Sequence, residues 1–488
     1  MNKIAFGTDG WRARLAEDFT YPNVRRVAWA LGRLVLQRQP KATVYVGFDR
    51  RFLSRDFARE AAGILAGMGV ATRLSDDVLP TPAYSYLSKK HKAWALIVTA
   101  SHNPPQDNGL KIKTPDGASA PQQITRDVER FTKEAPLVYK KSRCLPDTSL
   151  RREYIAYLKG LARPVLSKLR GNKVAVDYLH GSGAGLLEEV LGNKHVISLR
   201  KDEDPYFGGI APEPIGKNLI ALQKLTKDRG AILGVALDGD ADRISLVDEK
   251  GNYLAPTTVF AMYAYYQAIA LGLKGEIVQG VSLGYLGKRI AEKANLPFTW
   301  VPVGFKNIAE RMNTSDVLIG GEESGGYALG RLLPDRDGVA NTLLMLEVLL
   351  NLKIKPSALV NKIYKEFGYS FYERYDLRLD SVVDKDRFTQ RCTDELLHRL
   401  AGNGFTFKEH LLIDGAKLFL YDGSWLLLRP SGTEALVRIY AETPSKSATH
   451  RLVSLATAWA KTVVRDEPRV GAAAQQTHRT PANGHHNS

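Results

Sequence analysis

The chain has 488 residues, a net charge of +16 from 68 Lys and Arg against 52 Asp and Glu, 44% hydrophobic residues and two cysteines. That length implies several domains, the apolar share is ordinary for a globular protein, and two distant cysteines, Cys144 and Cys392, exclude a disulfide framework and fit a reducing cytoplasm. No run reaches a membrane span, no secretory leader opens the chain and no nucleic-acid motif accompanies the scattered basic residues. The expected partners are therefore small molecules, with no nucleic acid and no membrane; the positive charge suits steering of anionic ligands toward a basic cleft.

In chain order, the first distinctive stretch is Phe6-Gly7-Thr8-Asp9-Gly10-Trp11-Arg12. An apolar run, Thr43 to Phe48, reads as a strand, and Arg55 to Met68 as a helix. The paired cations Arg50-Arg51, Lys89-Lys90 and Lys140-Lys141 read as solvated faces. Trp94 to Val98 reads as a buried strand. It ends in Thr99-Ala100-Ser101-His102-Asn103-Pro104-Pro105. A serine at the carboxyl end of a strand lies where open α/β sheets place ligand chemistry. His102 and Lys111 beside it can each serve a phosphate or move a proton. A serine in an ordinary turn is the bland alternative, since Ser and Asn are common turn residues.

A polar, lysine-rich link from Tyr139 to Thr148 marks a boundary, and Lys173 to Asp177 opens a second α/β segment. Gly234 to Leu237 then leads into Asp238-Gly239-Asp240-Ala241-Asp242-Arg243. Three carboxylates at alternate positions repel one another without a cation, and a hard divalent ion such as Mg2+ takes such oxygens together with a phosphate. The later Gly and Glu of an EF-hand loop are missing. Within their own loop the three aspartates have no plausible partner except such a cation and Arg243.

Glu276 to Gly280 reads as another strand, and Val317 to Ile319 precedes Gly320-Gly321-Glu322-Glu323-Ser324-Gly325-Gly326. A carboxylate and a hydroxyl between glycines suit sugar hydroxyls. Finally, Trp425 to Leu428 leads into Arg429-Pro430-Ser431-Gly432-Thr433-Glu434, with Arg438 on the following strand. Hydroxyls, a glycine backbone and arginine forks hold phosphates. The last stretch, Asp466 to Ser488, is polar and has little to bury, so it is expected to be disordered.

Taken together and in this order, the four loops and the N-terminal stretch resemble the α-D-phosphohexomutase superfamily, over nearly the whole chain to about Arg465. The resemblance implies three similar α/β domains with mixed sheets and a C-terminal α+β domain. The boundaries expected are 1–147 for the phosphoserine loop, 148–254 for the metal loop, 255–367 for the sugar loop and 368–465 for the phosphate loop, followed by the tail 466–488. No internal repeat is visible in the sequence itself.

The resemblance also implies roles. Ser101 is similar to the family's phosphoserine. Asp238, Asp240 and Asp242, with the phosphoryl oxygen on Ser101, match its magnesium site. Arg12, His102, Lys111 and Arg243 match residues lining the transfer centre. Glu322 and Ser324 match the grip on the sugar's O3 and O4, and Gly304 and Lys306 in Pro302-Val303-Gly304-Phe305-Lys306 match a sugar-contacting loop. Arg336 lies where a phosphate-contacting cation is common in the glucose branch. Arg429, Ser431, Gly432, Thr433 and Arg438 match the loop for the non-transferring phosphate.

Glu322-Glu323-Ser324 looks like phosphoglucomutases, and Gly326 stands where the mannose/glucose and glucosamine branches usually carry histidine. The expected reaction is interconversion of glucose 1-phosphate and glucose 6-phosphate through glucose 1,6-bisphosphate, with mannose phosphates as slower substrates. Phosphomannomutase, phosphoglucosamine mutase and a sugar-phosphate phosphatase are the alternatives. The bisphosphate must turn around within a roomy polar cleft, and a hinge before the last domain must close to exclude water. The expected assembly is a monomer or homodimer.

Overall fold

A computed structural model of the chain describes residues 4–431 and 434–465, and divides them into two compact units at Gly368 and Tyr369. Gly432, Thr433 and the tail 466–488 lie outside the described residues. No helix among the described residues is long and apolar enough to cross a membrane.

The first unit contains three sheets built on a shared pattern. In the first, the fully buried strand Trp94–Val98 pairs in parallel with Thr43–Phe48 and antiparallel with Asp107–Lys113. Leu233–Leu237 pairs in parallel with Val174–Asp177 and antiparallel with Ile244–Val247. Val317–Gly321 pairs in parallel with Glu276–Gly280 and antiparallel with Tyr327–Leu329. The sheets are therefore mixed. In each, a strand buried on both faces, and so written as an apolar run, turns back on itself through one motif loop. The repeat that the sequence conceals is this topology.

Helix Ser54–Gly67 buries Phe57, Ala58, Ala61, Ala62, Ile64 and Leu65, an apolar stripe at helical spacing, and packs against Tyr21–Arg38. The link before the second sheet is tied to the first domain. Ser142 N–H donates to the Gly63 carbonyl, and Pro146–Asp147 pairs with Leu74 and Ser75.

The second unit is built differently. Its five strands, in the spatial order Phe371–Arg378, Leu436–Thr443, Trp425–Pro430, Ala416–Leu420 and Phe407–Leu411, are all antiparallel. Helix Lys446–Arg465 packs on this sheet over a core that includes Leu426, Leu428, Ile439 and Trp459.

The paired cations divide. Lys90 pairs with Glu153 and Lys141 with Glu60 at the surface. Arg51 departs from the solvated-face reading: it is only 3% exposed. Its charge is tolerated there because Asp49 and several carbonyls surround it.

Candidate active site

The first two motif loops meet at Ser101. Its Oγ donates to Asp238 Oδ2 at 2.9 Å and lies 3.3 Å from His102 Nδ1. The backbone there is left-handed, with φ 54°, a conformation a non-glycine residue adopts only when its surroundings hold it. One restraint is the metal loop itself. A Cβ on Gly239 would lie 2.3 Å from the Ser101 carbonyl oxygen, so only glycine permits this approach.

Asp238, Asp240 and Asp242 are fully buried, and one oxygen from each falls within 4.8 Å of the others. Burial, then the neighbouring Asp242 and Asp240, raise Asp238 well above the usual carboxylate range. Asp240 Oδ1 and Asp242 Oδ1 are buried with no hydrogen-bond partner. Crowded, unpartnered hard oxygens fit a divalent cation.

The remaining charge is balanced from other elements. Lys111 Nζ lies 2.7 Å from Asp240, 2.8 Å from Asp242 and 2.8 Å from Asp9. Burial works against its ammonium, but these three carboxylates hold its pKa above the ordinary value. For Asp240 burial acts upward and Lys111 outweighs it, so it stays ionised. Thr81 donates to the same carboxylate at 2.6 Å. The aspartates thus have more partners than their own loop offers.

His102 is depressed well below its usual value, first by burial and then by the Arg243, Arg12 and Lys111 cations, so its imidazole is neutral. Arg12 donates to Asn103 Oδ1 at 2.7 Å. Arg243 is looser, with Nε 3.8 Å from Asp242 and 4.0 Å from Asp238.

The third loop joins the same centre. Glu322 is buried and accepts the Gly304 N–H at 2.8 Å. Burial pushes its carboxyl up to about 7 despite the Arg336 guanidinium, whose Nη1 is 3.7 Å away. Ser324 Oγ is buried without a partner. Lys306 is half-buried in the first turn of helix Phe305–Thr314 and has no ion-pair partner among the described residues. Arg336 is deeply buried. It is 2% exposed, and its Nη2 lies 2.7 Å from both Asp9 and Asp242, tying the sugar loop to the metal loop.

Sequence reasoning missed Asp9, Thr81, Asn103 and Arg51. Asp9 stood within the N-terminal stretch without a role. Here Arg336, Lys111, Lys113 and Arg12 together overcome burial and hold it well below the usual range.

In the second unit, taken by itself, Arg429 and Arg438 face each other across adjacent strands. Two like charges directly opposite are unfavourable unless something neutralises them. Asp414 holds Arg429 at 2.6 Å and Glu434 holds Arg438 at 3.2 Å. Ser431 Oγ accepts the Glu434 N–H at 3.1 Å. Gly432 and Thr433 fall outside the described residues.

Comparison with known proteins covers the same ground. Models of the phosphoglucomutase/phosphomannomutase alpha/beta/alpha domains I, II and III match residues 3–137, 152–251 and 256–367, and the model of the C-terminal domain matches 385–456. A phosphoglucosamine mutase from Chromohalobacter salexigens is 29% identical over 463 residues, 91% of this chain and 95% of that protein. A phosphopentomutase from Thermococcus kodakarensis is 29% identical over 94% of this chain and 98% of its own. A solved structure, a candidate phosphomannomutase from Thermus thermophilus, is 32% identical with a TM-score of 0.81, covering 94% of this chain and 99% of that one. Four matched domains in order, over a centre that gathers a serine, three aspartates and a buried Glu and Ser between glycines, leave one conclusion: the chain belongs to the phosphoglucomutase/phosphomannomutase family and is an isomerase, an intramolecular phosphotransferase of the phosphohexomutase kind.

Proposed function

We propose that this enzyme interconverts glucose 1-phosphate and glucose 6-phosphate through glucose 1,6-bisphosphate, with Ser101 as the phosphoryl carrier and mannose phosphates as slower substrates. The observation that carries the reading is Ser101 Oγ at 2.9 Å from Asp238, at the mouth of the three-aspartate cluster. Mg2+ bound by Asp238, Asp240, Asp242 and the phosphoryl oxygen on Ser101 would supply charge neutralisation for the transferring group.

The chain's own residues do the rest. A sugar hydroxyl bonds to phosphorus as the bond from phosphorus to Ser101 Oγ breaks, and the hydroxyl proton leaves. Arg12, Lys111 and Arg243 spread the anionic charge, and the neutral His102 imidazole is the adjoining group able to exchange a proton. Glu322 and Ser324 orient the sugar, with Gly304 and Lys306 beside them. Arg429, Ser431, Gly432, Thr433 and Arg438 hold the phosphate that is not transferred. The domains are read as 1–147, 148–254, 255–367 and 368–465. The two free cysteines, one buried and one half-buried, support a cytoplasmic setting.

Glu322-Glu323-Ser324 with Gly326 supports glucose as the preferred sugar. The names of the relatives are divided, some naming glucosamine or pentose phosphates and others glucose and mannose phosphates. A panel of glucose, mannose, glucosamine, N-acetylglucosamine and ribose 1-phosphates, assayed with the matching bisphosphate, decides between them. Glucose 1-phosphate should give the highest kcat/KM. A higher value for glucosamine 1-phosphate overturns the substrate assignment. Steady release of inorganic phosphate would make the enzyme a phosphatase. Intact-mass analysis and peptide mapping should place one phosphate on Ser101, and Ser101→Ala should lose activity while binding substrate. A fully active alanine variant overturns the carrier.

A further inference from the structure

Arg51 is buried beside the transfer centre, yet it touches none of the groups that meet substrate there. Its side chain is fully buried. Nη1 donates to the carbonyls of Pro104 at 2.8 Å and Asp107 at 3.0 Å. Nη2 donates to the carbonyls of Ser101 at 2.7 Å and Asn103 at 2.6 Å. Nε faces Asp49 Oδ2 at 3.3 Å, and the guanidinium lies over the Phe207 ring at 4.9 Å. Asp49 is held in turn by the Arg51 N–H at 2.9 Å and by Ser54 Oγ at 2.7 Å.

Four of the five guanidinium N–H groups are thus directed at carbonyls of a single loop, while Nε meets Asp49 through charge and makes no hydrogen bond. Those carbonyls converge on one side chain from the stretch that carries Ser101. Ser101 itself has a backbone that ordinary propensity disfavours. A residue in that state stays there only when its neighbours over-determine it. Arg51 supplies the restraint from behind the loop, while Gly239 lies against the same carbonyl from the front.

We infer that Arg51, anchored by Asp49, is a positioning residue that holds the Ser101 loop so that Oγ stays aimed at the three-aspartate cluster. The inference rests on the reading of Ser101 as the phosphoryl carrier. Arg51 acts through the backbone alone, so its loss should slow phosphoryl transfer without loosening the sugar. Lysine cannot replace it, because one ammonium offers three donors from a single point and no planar fork.

The test uses the full-length enzyme with Arg51→Lys, Arg51→Gly and Asp49→Asn. For each, kcat and KM for glucose 1-phosphate are measured, with the single-turnover rate at which glucose 1,6-bisphosphate phosphorylates Ser101. A misplacement of about 1 Å at a reacting group costs about a hundredfold in rate. Arg51→Lys should therefore lose about that much in kcat and in the phosphorylation rate, with KM within about threefold of wild type. Asp49→Asn, which keeps the loop's own hydrogen bonds, should lose less in the same direction. Millimolar guanidinium should restore part of the Arg51→Gly activity in a saturable way, and equal urea or sodium chloride should not.

An Arg51→Lys enzyme with kcat within threefold of wild type overturns the inference. So does a loss that scales only with the folded fraction, leaving the rate per phosphorylatable site unchanged. If Arg51→Lys does not fold, wild-type rates in Asp49→Asn together with no guanidinium rescue overturn it. Wild-type enzyme lacking phosphate on Ser101 would instead overturn the reading on which the inference rests.

Discussion

A Cβ on Gly326 would lie 2.2 Å from Cδ of Arg336. Arg336 occupies the space that a side chain at position 326 would need, and from there it reaches Asp242 and Asp9 at 2.7 Å each. Any side chain at 326 must displace a buried cation that links two loops. Gly326→Ala should lower stability by about 1–3 kcal/mol, the usual cost of overpacking a filled site. It should also depress turnover on every sugar phosphate. Thermal melting and kcat check this; an unshifted melt with full turnover would refute it.

Asp240 lies between Lys111, Thr81 and an unpartnered oxygen of its own. Asp240→Asn keeps the shape and removes the charge that a divalent cation requires. Turnover should fall about a hundredfold or more, since such a cation contributes several kcal/mol to the transition state. Sugar-phosphate affinity should change far less. Exhaustive chelation should abolish wild-type activity, and added Mg2+ should restore it. Calorimetric titration of Mg2+ into both proteins separates loss of metal from loss of fold.

Burial raises Glu322 to about 7 from an ordinary value of 4.5. The sign follows directly. Between these values the folded chain binds more protons at Glu322 than the unfolded chain does. Its contribution is full below pH 4.5 and is lost as pH rises through about 7. The slope is at most about 1.4 kcal/mol per pH unit. Glu322→Gln should flatten this part of the stability profile in denaturant melts at fixed pH. In the proposed role, Glu322 accepts sugar hydroxyls in its ionised form, so kcat/KM should rise through the same window in wild type and not in the variant.

Arg429 and Arg438 face each other across two strands, with Asp414 beside Arg429 and Glu434 beside Arg438. Replacing either with alanine should raise KM for sugar phosphates. A hydrogen bond to a charged group contributes about 1.5–3 kcal/mol, which converts to roughly a 10- to 150-fold change. The fall in kcat should be smaller than the rise in KM. Inhibition by inorganic phosphate should weaken in step with KM.

Much of the site was legible because reactive loops betray themselves locally. An apolar run marks the strand, and the residues just past its end mark the loop: Ser101 after Val98, Asp238 after Leu237, Glu322 after Ile319. Charge repulsion alone marks Asp238, Asp240 and Asp242 as a candidate cation site. The fold class followed from strands alternating with helices. The sequence did not expose the repeat among the first three sheets. That repeat lies in which strands pair and in which direction, and hydrogen-bonded pairing leaves no trace in residue type.

The sequence by itself determined which chemical groups are present: a serine, three aspartates, a Glu and a Ser between glycines, and arginines suited to phosphate. Residue type and local order suffice for that. Only the tertiary structure decided which charges are shared. Arg51 looked like half of a surface pair and proved to hold the carbonyls of the Ser101 loop. Arg336, whose position suggests a phosphate contact, bridges Asp9 and Asp242, residues 327 and 94 positions away. A buried charge must find partners or lose its ionisation. Those partners come from distant segments, so their identity is fixed by packing.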